Sequence, residues 1–222
     1  MSSAVIIAGG DFPKKEYPRL VLRDADRIIC CDGNALKAFL RNRRAVFGDE
    51  SRLPDAVVGD LDSIKPGLAA EYRDLLVHVR EQDDNDLAKA FHYVIDTTPD
   101  IESITFLAIT GKREDHTLGN LGQLMEFARF ADSKGMNIRL EAISDHSTMI
   151  PLTDSTDIFV GGGRAVSIFS PDNSLNIKSE GLEWQTSGVV FDNWWQASLN
   201  RAGDSRIRLE FSHKSIALLI LD

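Results

Sequence analysis

Short apolar runs that end in polar turns recur through the first half of the chain. Four of them span residues 4–8, 27–31, 56–58 and 103–109. Runs of this length predict buried strands. Apolar residues recur at helical spacing after Asp86 and again after Asp115, which predicts amphipathic helices. The alternation of strand, turn and helix predicts an α/β fold: an open, largely parallel sheet with flanking helices.

The pattern changes near residue 137. Helical spacing stops, and runs of period two take its place at 175–178, 206–211 and 215–221. Alternation of this kind, with Gly and Asn/Asp turns between the runs, predicts a C-terminal antiparallel β-sandwich domain. We therefore expect an α/β catalytic domain over residues 1–137 and a sandwich domain over 138–222.

Charge and cysteine content narrow the classes of partner. The 222 residues carry a formal net charge of -9, which disfavours nucleic acid and anionic membranes as partners. The only two cysteines, Cys30 and Cys31, are adjacent, so no disulfide framework is expected and a reducing compartment is favoured. No run is apolar for long enough to span a bilayer and no signal peptide is evident. A cytoplasmic protein is the expectation.

Acidic side chains cluster where three strands are predicted to end. The segments are 59–63 (Gly-Asp-Leu-Asp-Ser), 83–86 (Asp-Asp-Asn-Asp) and 111–116 (Gly-Lys-Arg-Glu-Asp-His). Any one of these aspartates could simply cap a helix, and His116 could equally be a hydrogen-bonded structural residue. Ligands of open α/β sheets, however, bind beyond the carboxyl ends of the strands, and all three segments fall at that edge.

A phosphate site lined with aspartates requires a cation. A carboxylate about 4 Å from a phosphate oxygen repels it by roughly 4 kcal/mol at an effective dielectric constant of 20. Oxygen ligands suit Mg²⁺, and Asp60 and Asp62 can project to the same side of the chain and share one ion. Arg113 offers a planar fork for phosphate oxygens. The segments favour metal-assisted phosphoryl or pyrophosphoryl transfer.

Two familiar phosphate-binding motifs are absent from the sequence. It contains no Gly-x-x-x-x-Gly-Lys-Ser/Thr, and no Gly-x-Gly-x-x-Gly follows the first predicted strand, which disfavours a P-loop enzyme and a dinucleotide site. The triplet at 161–163 is all glycine, but no helix pattern follows it. We interpret it as a turn.

The order of these segments resembles the thiamin pyrophosphokinase family along nearly the whole chain. The family's Asp-Gly-Gly, Gly-Asp-x-Asp-Ser, Lys/Gln-Asp-x-Thr-Asp, Gly-Arg-x-Asp-His/Gln and Gly-Leu-x-Trp motifs correspond to residues 32–34, 59–63, 82–86, 112–116 and 181–184. The resemblance implies an ATP-dependent pyrophosphokinase that makes thiamin diphosphate and AMP. It further implies a homodimer with active sites at the subunit interface.

Roles for individual residues also come from the resemblance. Magnesium would be held by Asp60, Asp62, Asp83 and Asp86. Arg113 and Asp115 would complete the catalytic set. The nucleotide would lie against Asp32, Gly33, Asn34, Arg113 and His116. Thiamin would stack on Trp184 and contact Ser198 and Asn200.

Four positions depart from the family pattern. Asn34 stands for the second glycine of the first motif, Asn85 replaces the threonine of the third, Lys112 takes a position that is often glycine, and Leu199 replaces a usual serine. Because Leu199 has no polar side chain, a pterin-like alcohol remains an alternative substrate. A non-catalytic sensor of nucleotide or thiamin diphosphate is the alternative from another functional class.

Overall fold

The computed structural model describes residues 2–81 and 84–222. Its contacts divide the chain into two compact units, one formed by Met1–Gln123 with Asn137–Asp145 and the other by Leu124–Met136 with His146–Asp222. Residues 137–145 thus group with the first unit. The predicted domain boundary between residues 137 and 138 stays a prediction.

The first unit is built on six parallel strands in the order β6-β5-β1-β2-β3-β4. The strands are β1 (Ser2–Ile7), β2 (Arg27–Cys31), β3 (Ala56–Gly59), β4 (Leu76–His78), β5 (Ile101–Leu107) and β6 (Arg139–Ile143). The predicted parallel sheet is therefore confirmed. The central strands β1, β2 and β3 are largely apolar because side chains on both of their faces are buried, as Ile6, Ile29 and Val57 illustrate.

Helices connect these strands. They are α1 (Glu16–Arg23), α2 (Asp32–Phe47), α3 (Pro66–Glu71), α4 (Asp86–Thr97) and α5 (Glu114–Ser133), with a short 3-10 turn at Arg73–Leu75. Phe39 of α2 and Phe91 of α4 are fully buried, and both helices pack on strands β2 and β3. None of the helices in the described ranges is sufficiently long and apolar to cross a membrane.

The second unit contains two antiparallel sheets. One has the order β11-β9-β13-β7 and the other β10-β12-β8. The strands are β7 (Thr148–Leu152), β8 (Thr156–Phe159), β9 (Ala165–Phe169), β10 (Ile177–Glu180), β11 (Ala197–Arg201), β12 (Arg206–Phe211) and β13 (Ala217–Leu221). Val166 and Leu219 of the first sheet share one apolar core with Ile177 and Leu209 of the second. This arrangement confirms the predicted sandwich.

Candidate active site

Three aspartates meet at the carboxyl edge of the parallel sheet. Asp32 follows β2, Asp60 follows β3, and Asp86 begins α4. One carboxylate oxygen from each lies within 4.8 Å of the other two. Asp32 is buried, and its Oδ1 has no hydrogen-bond partner within the described part of the chain. A buried acceptor without a partner is costly, so this oxygen is available to a ligand.

Two glycines, which have no side chain, allow these segments to approach one another. A Cβ atom on Gly33 would lie 2.5 Å from Ile64 Cγ1, and one on Gly59 would lie 2.9 Å from Asp86 Oδ1. Lys37 Nζ then donates a hydrogen bond of 2.9 Å to the Ser63 carbonyl. Helix α2 is thereby fastened to the turn that carries Asp60.

The neighbouring carboxylates make ionisation of Asp86 less favourable. The pKa of Asp86 lies above its ordinary value because of burial first, and then because of the charges of Asp60 and Asp32. The Asp60 backbone N–H donates to Asp86 Oδ1 at 3.3 Å, and Lys89 Nζ lies 3.7 Å from the same oxygen. Both contacts offset only part of the repulsion. An oxygen-rich group of this kind fits a divalent cation such as Mg²⁺.

A chain of amides positions the start of α4. Asn85 Oδ1 accepts hydrogen bonds from the backbone N–H groups of Leu87 (3.0 Å) and Ala88 (3.1 Å) and so caps the helix. Asn85 Nδ2 donates to Asn120 Oδ1 at 3.3 Å, and Asn120 Nδ2 donates to the Ile109 carbonyl at 2.8 Å. Because Asn85 caps the helix, the Asp86 carboxylate is left to face the other aspartates.

A cavity of about 620 Å³ opens beside the aspartates, a size that suits a small-molecule ligand. Its lining includes Asp32, Asp86, Lys37, Arg41, Lys112, Arg113 and His116. The turns after β1 and β5 form part of its wall, because Lys112 Nζ donates to the Gly9 carbonyl at 2.6 Å. Lys112 has a φ of 64°, which accounts for the glycine that is common at this position in the family.

Arg113 and Asp115 lie at the exposed edge of this cavity. The Arg113 guanidinium donates to both carboxylate oxygens of Asp115, and the His116 backbone N–H donates to Asp115 Oδ1 at 2.9 Å. The hydrogen bond from Arg113 is the largest cause that holds the pKa of Asp115 below its ordinary value. Asp115 is thus the ion-pair partner of Arg113 in this structure.

The structure brings together only part of the predicted metal set. Asp60 and Asp86 meet, but Asp32, which we had assigned to the nucleotide, joins them. Asp62 is exposed and lies outside the group, although its backbone N–H donates to Asp60 Oδ1 at 3.1 Å. Asp83 lies outside the described residues. Of the residues predicted for the nucleotide, all except Gly33 line the cavity: Asp32, Asn34, Arg113 and His116.

Sequence reasoning missed several residues of the site. Lys37 and Arg41 line the cavity. They lie four residues apart in the helix that begins at Asp32, and this spacing was a usable signal for one helical face. Asn120 carried no comparable signal, because its partners Asn85 and Ile109 are distant in sequence. Cys31 also borders the cavity. Its thiol is buried, and desolvation is the largest cause of its raised pKa.

The residues predicted for thiamin lie in the second unit. Trp184 is 59% exposed. The buried amide of Asn200 is already engaged: its Oδ1 accepts from the Trp184 N–H at 3.2 Å and its Nδ2 donates to the Trp184 carbonyl at 2.7 Å. The Ser198 N–H donates to the Trp195 carbonyl at 3.0 Å. Asn200 therefore fixes the backbone that presents Trp184.

Leu199 interrupts the pairing of β11 with β9. The register shifts between Ala197 and Asn200, and Leu199 has a φ of 60° and a side chain that is 87% exposed. Its N–H donates to Ser167 Oγ at 3.0 Å. A small polar residue fits such a conformation better than leucine does.

Comparison with known proteins assigns the two parts of the chain to one family. Family models match residues 18–139 as the thiamin pyrophosphokinase catalytic domain and residues 148–217 as the thiamin pyrophosphokinase substrate-binding domain. Thiamine pyrophosphokinase 1 of Oryza sativa subsp. japonica is 28% identical over 201 residues, covering 82% of this chain and 72% of the relative. Thiamine pyrophosphokinase 1 of Arabidopsis thaliana is 26% identical over 208 residues, covering 84% and 73%.

Solved structures share the fold at lower sequence identity. Thiamine pyrophosphokinase from Bacillus subtilis superposes with a TM-score of 0.75 at 21% identity, covering 100% of this chain and 99% of that one. Thiamin pyrophosphokinase from Candida albicans gives a TM-score of 0.75 at 18% identity, covering 99% and 88%. With both domain models matched in order, the chain belongs to the thiamin pyrophosphokinase family.

Proposed function

We propose that this chain transfers the pyrophosphoryl group of ATP to the hydroxyethyl arm of thiamin, giving thiamin diphosphate and AMP. The observation that carries the proposal is the group formed by Asp32, Asp60 and Asp86 beside a cavity with cationic walls. Carboxylates alone would repel a polyphosphate. The combination of acidic group and cations suits a nucleotide that arrives with a metal ion.

The residues that would hold magnesium are Asp32, Asp60 and Asp86. The free Oδ1 of buried Asp32 and the raised pKa of Asp86 both favour an added cation. Asp62 and Asp83 are further candidates from the family motifs. Bound magnesium would supply charge neutralisation on the phosphate oxygens.

The chain's own residues would then orient the reactants. Arg113 would exchange Asp115 for phosphate oxygens, since both partners are exposed. The thiamin hydroxyl oxygen would form a bond to the β-phosphorus as the bond between that phosphorus and the α,β-bridging oxygen breaks. The hydroxyl proton would pass to one of the site's carboxylates, and AMP would leave with the bridging oxygen.

Thiamin recognition would rest on the second unit. The exposed indole of Trp184 is a suitable partner for a flat pyrimidine and a cationic thiazolium. Asn200 would act by holding the Trp184 backbone, and Ser198 would be the nearby hydroxyl donor. The division into a nucleotide domain at 1–137 and a thiamin domain at 138–222 belongs to this proposal.

Assembly and location are part of the same proposal. A homodimer would cover the exposed Trp194 and Trp195, which are 43% and 51% exposed, and would place active sites at the subunit interface. A cytoplasmic location suits the buried free thiols of Cys30 and Cys31.

The test is an assay of the purified protein with ATP, magnesium and thiamin, followed by chromatography of all products. We expect thiamin diphosphate and AMP in equal amounts, with no product in EDTA. An Asp60→Asn variant should lose at least about a thousandfold in kcat/KM if its charge holds the metal. ADP with thiamin monophosphate would show that a single phosphoryl group is transferred instead.

The two alternatives give different results in that assay. Turnover of a pterin-like alcohol in preference to thiamin would redirect the substrate assignment to the region of Leu199. Tight binding of nucleotide or thiamin diphosphate without turnover would indicate a sensor. The family match favours neither alternative.

A further inference from the structure

Helix α2 presents two cationic side chains to the cavity that no family motif includes. Lys37 and Arg41 both line it, and their spacing of four residues places them on one helical face. The chain as a whole carries a net charge of -9. Two cations on a cavity wall therefore run against the overall charge of the molecule.

The two cations differ in what holds them. Lys37 Nζ donates to the Ser63 carbonyl, which fixes its charge near the turn that carries Asp60, and no carboxylate of the described residues forms an ion pair with it. Arg41 is exposed, and its guanidinium makes no hydrogen bond or ion pair with any residue in 2–81 or 84–222. By contrast, Arg113 is paired with Asp115.

Charge balance indicates what these cations are for. The site holds three carboxylates within 4.8 Å of one another, and a nucleotide polyphosphate would add several more negative charges. Even with magnesium bound, Arg113 and Lys112 alone would leave an excess of negative charge in a partly desolvated cavity, which is unfavourable. Lys37 and Arg41 supply two further positive charges on the wall formed by α2.

We propose that Lys37 and Arg41 form a second phosphate-binding wall, which binds the polyphosphate chain of the nucleotide together with Arg113. Arg41 supplies a free guanidinium fork for phosphate oxygens. Lys37 supplies a fixed charge and also holds the turn that carries Asp60. This inference rests on the proposed use of a nucleotide at this site, but it does not depend on which alcohol accepts the pyrophosphoryl group.

The test compares two ligands that separate the phosphate chain from the base. Binding of inorganic tripolyphosphate and of adenosine to the full chain is measured by calorimetry, with and without magnesium. An Arg41→Met variant should weaken tripolyphosphate binding about tenfold or more, which is typical of one lost charge-assisted hydrogen bond. Its affinity for adenosine should not change, and its dependence of tripolyphosphate affinity on salt should be shallower.

Arg44→Met is the matched control. Arg44 lies on the same helix and is exposed, but it does not line the cavity. This variant loses the same charge and should bind tripolyphosphate like the wild type. Lys37→Met should weaken binding, and Lys37→Arg should restore at least part of it, because a positive charge is retained.

Two results would overturn the proposal. One is unchanged tripolyphosphate affinity in Arg41→Met; the other is an equal loss in Arg41→Met and Arg44→Met, which would reveal only a long-range charge effect. Failure of the enzyme assay is a separate result. Loss of tripolyphosphate binding in Arg41→Met without any formation of thiamin diphosphate by the wild type would retain the phosphate wall and reject the activity.

Discussion

Asp86 contributes in opposite directions to stability and to the proposed chemistry. Its raised pKa means that the folded state binds more protons than the unfolded state between the ordinary value of 3.8 and the raised value. The free energy of unfolding therefore falls as pH rises through that window. Lys89, the cation nearest to this carboxylate, does not reverse the sign, because the net shift remains upward.

We expect an Asp86→Asn variant without metal to have a higher Tm than the wild type at neutral pH and to lose turnover. Thermal unfolding in EDTA from about pH 4 to about pH 8 measures the effect, where each kcal/mol shifts Tm by about 2–4 °C in a chain of this size. The gain should shrink toward the acid end. Asp84→Asn, at an exposed neighbour, is the control and should show no gain. A lower Tm for Asp86→Asn at neutral pH would contradict the assignment of repulsion.

Leu199 is strained in a way that a single substitution can relieve. It combines a φ of 60° with an 87% exposed side chain, and its N–H bond to Ser167 uses only backbone atoms of the leucine. Leu199→Asn should therefore raise the free energy of unfolding by about 0.5–1 kcal/mol.

Chemical denaturation measures this gain. Val190→Asn is the control, since Val190 is also an exposed apolar residue, at 53%, but is absent from the positions with positive φ. Equal effects of the two substitutions would mean that removal of exposed apolar surface, rather than backbone strain, is responsible.

The site could be predicted from the sequence to the level of segments but not of atoms. Asp60 and Asp86 were expected to approach because the carboxyl ends of parallel strands share one edge. The inclusion of Asp32 depends on a φ of 58° at that residue, which no periodicity reveals. The engagement of Asn200 by the Trp184 backbone likewise occurs beside a shift in strand register, which the sequence pattern does not reveal.

At the scale of elements, substitutions at the start of α4 test how the helix cap positions the site. Asn85→Ala removes the helix cap and should cost about 1 kcal/mol of stability, and by loosening Asp86 it should also weaken magnesium binding. Asn85→Ser should lower stability less than Asn85→Ala does, because serine keeps a capping oxygen. It still loses the hydrogen bond that Asn85 donates to Asn120.

Chemical denaturation and titration with Mn²⁺, followed by its electron paramagnetic resonance signal, measure both effects. Asn42→Ala is a suitable control, because Asn42 bonds to the Ala38 carbonyl within α2 and does not line the cavity. Weakened Mn²⁺ binding in the control as well would show that the response is not specific to the α4 cap.

Elements with strong local signals were predicted, and those without them were not. Strands β1, β2, β3 and β5 are buried apolar runs, and α4 and α5 have clear periodicity. Strand β4 has only three residues and β8 four, too few for a pattern to stand out. Strand β6 pairs in parallel with β5. The change in hydrophobic pattern near residue 137 does not reveal this pairing.

At the scale of the whole molecule, each unit has its own hydrophobic core. The first has a parallel sheet buried by helices, and the second has a core shared by two antiparallel sheets. Both were expected from the change in hydrophobic period. The group formed by Asp32, Asp60 and Asp86 lies entirely in the first unit, beyond the ends of its strands.

The alkylation rate of the buried Cys31 thiol reports local opening of the structure at this edge of the sheet. Because the reactive species is the thiolate and burial raises the pKa of this thiol, an alkylating reagent can modify it only after local opening. Alkylation followed by mass spectrometry should be slow, and it should slow further when magnesium and a non-hydrolysable nucleotide fill the cavity. Cys30 is fully buried and does not border the cavity, so its alkylation rate should respond less to the ligand. Comparison of the two neighbouring cysteines would therefore distinguish opening of the site from unfolding of the sheet.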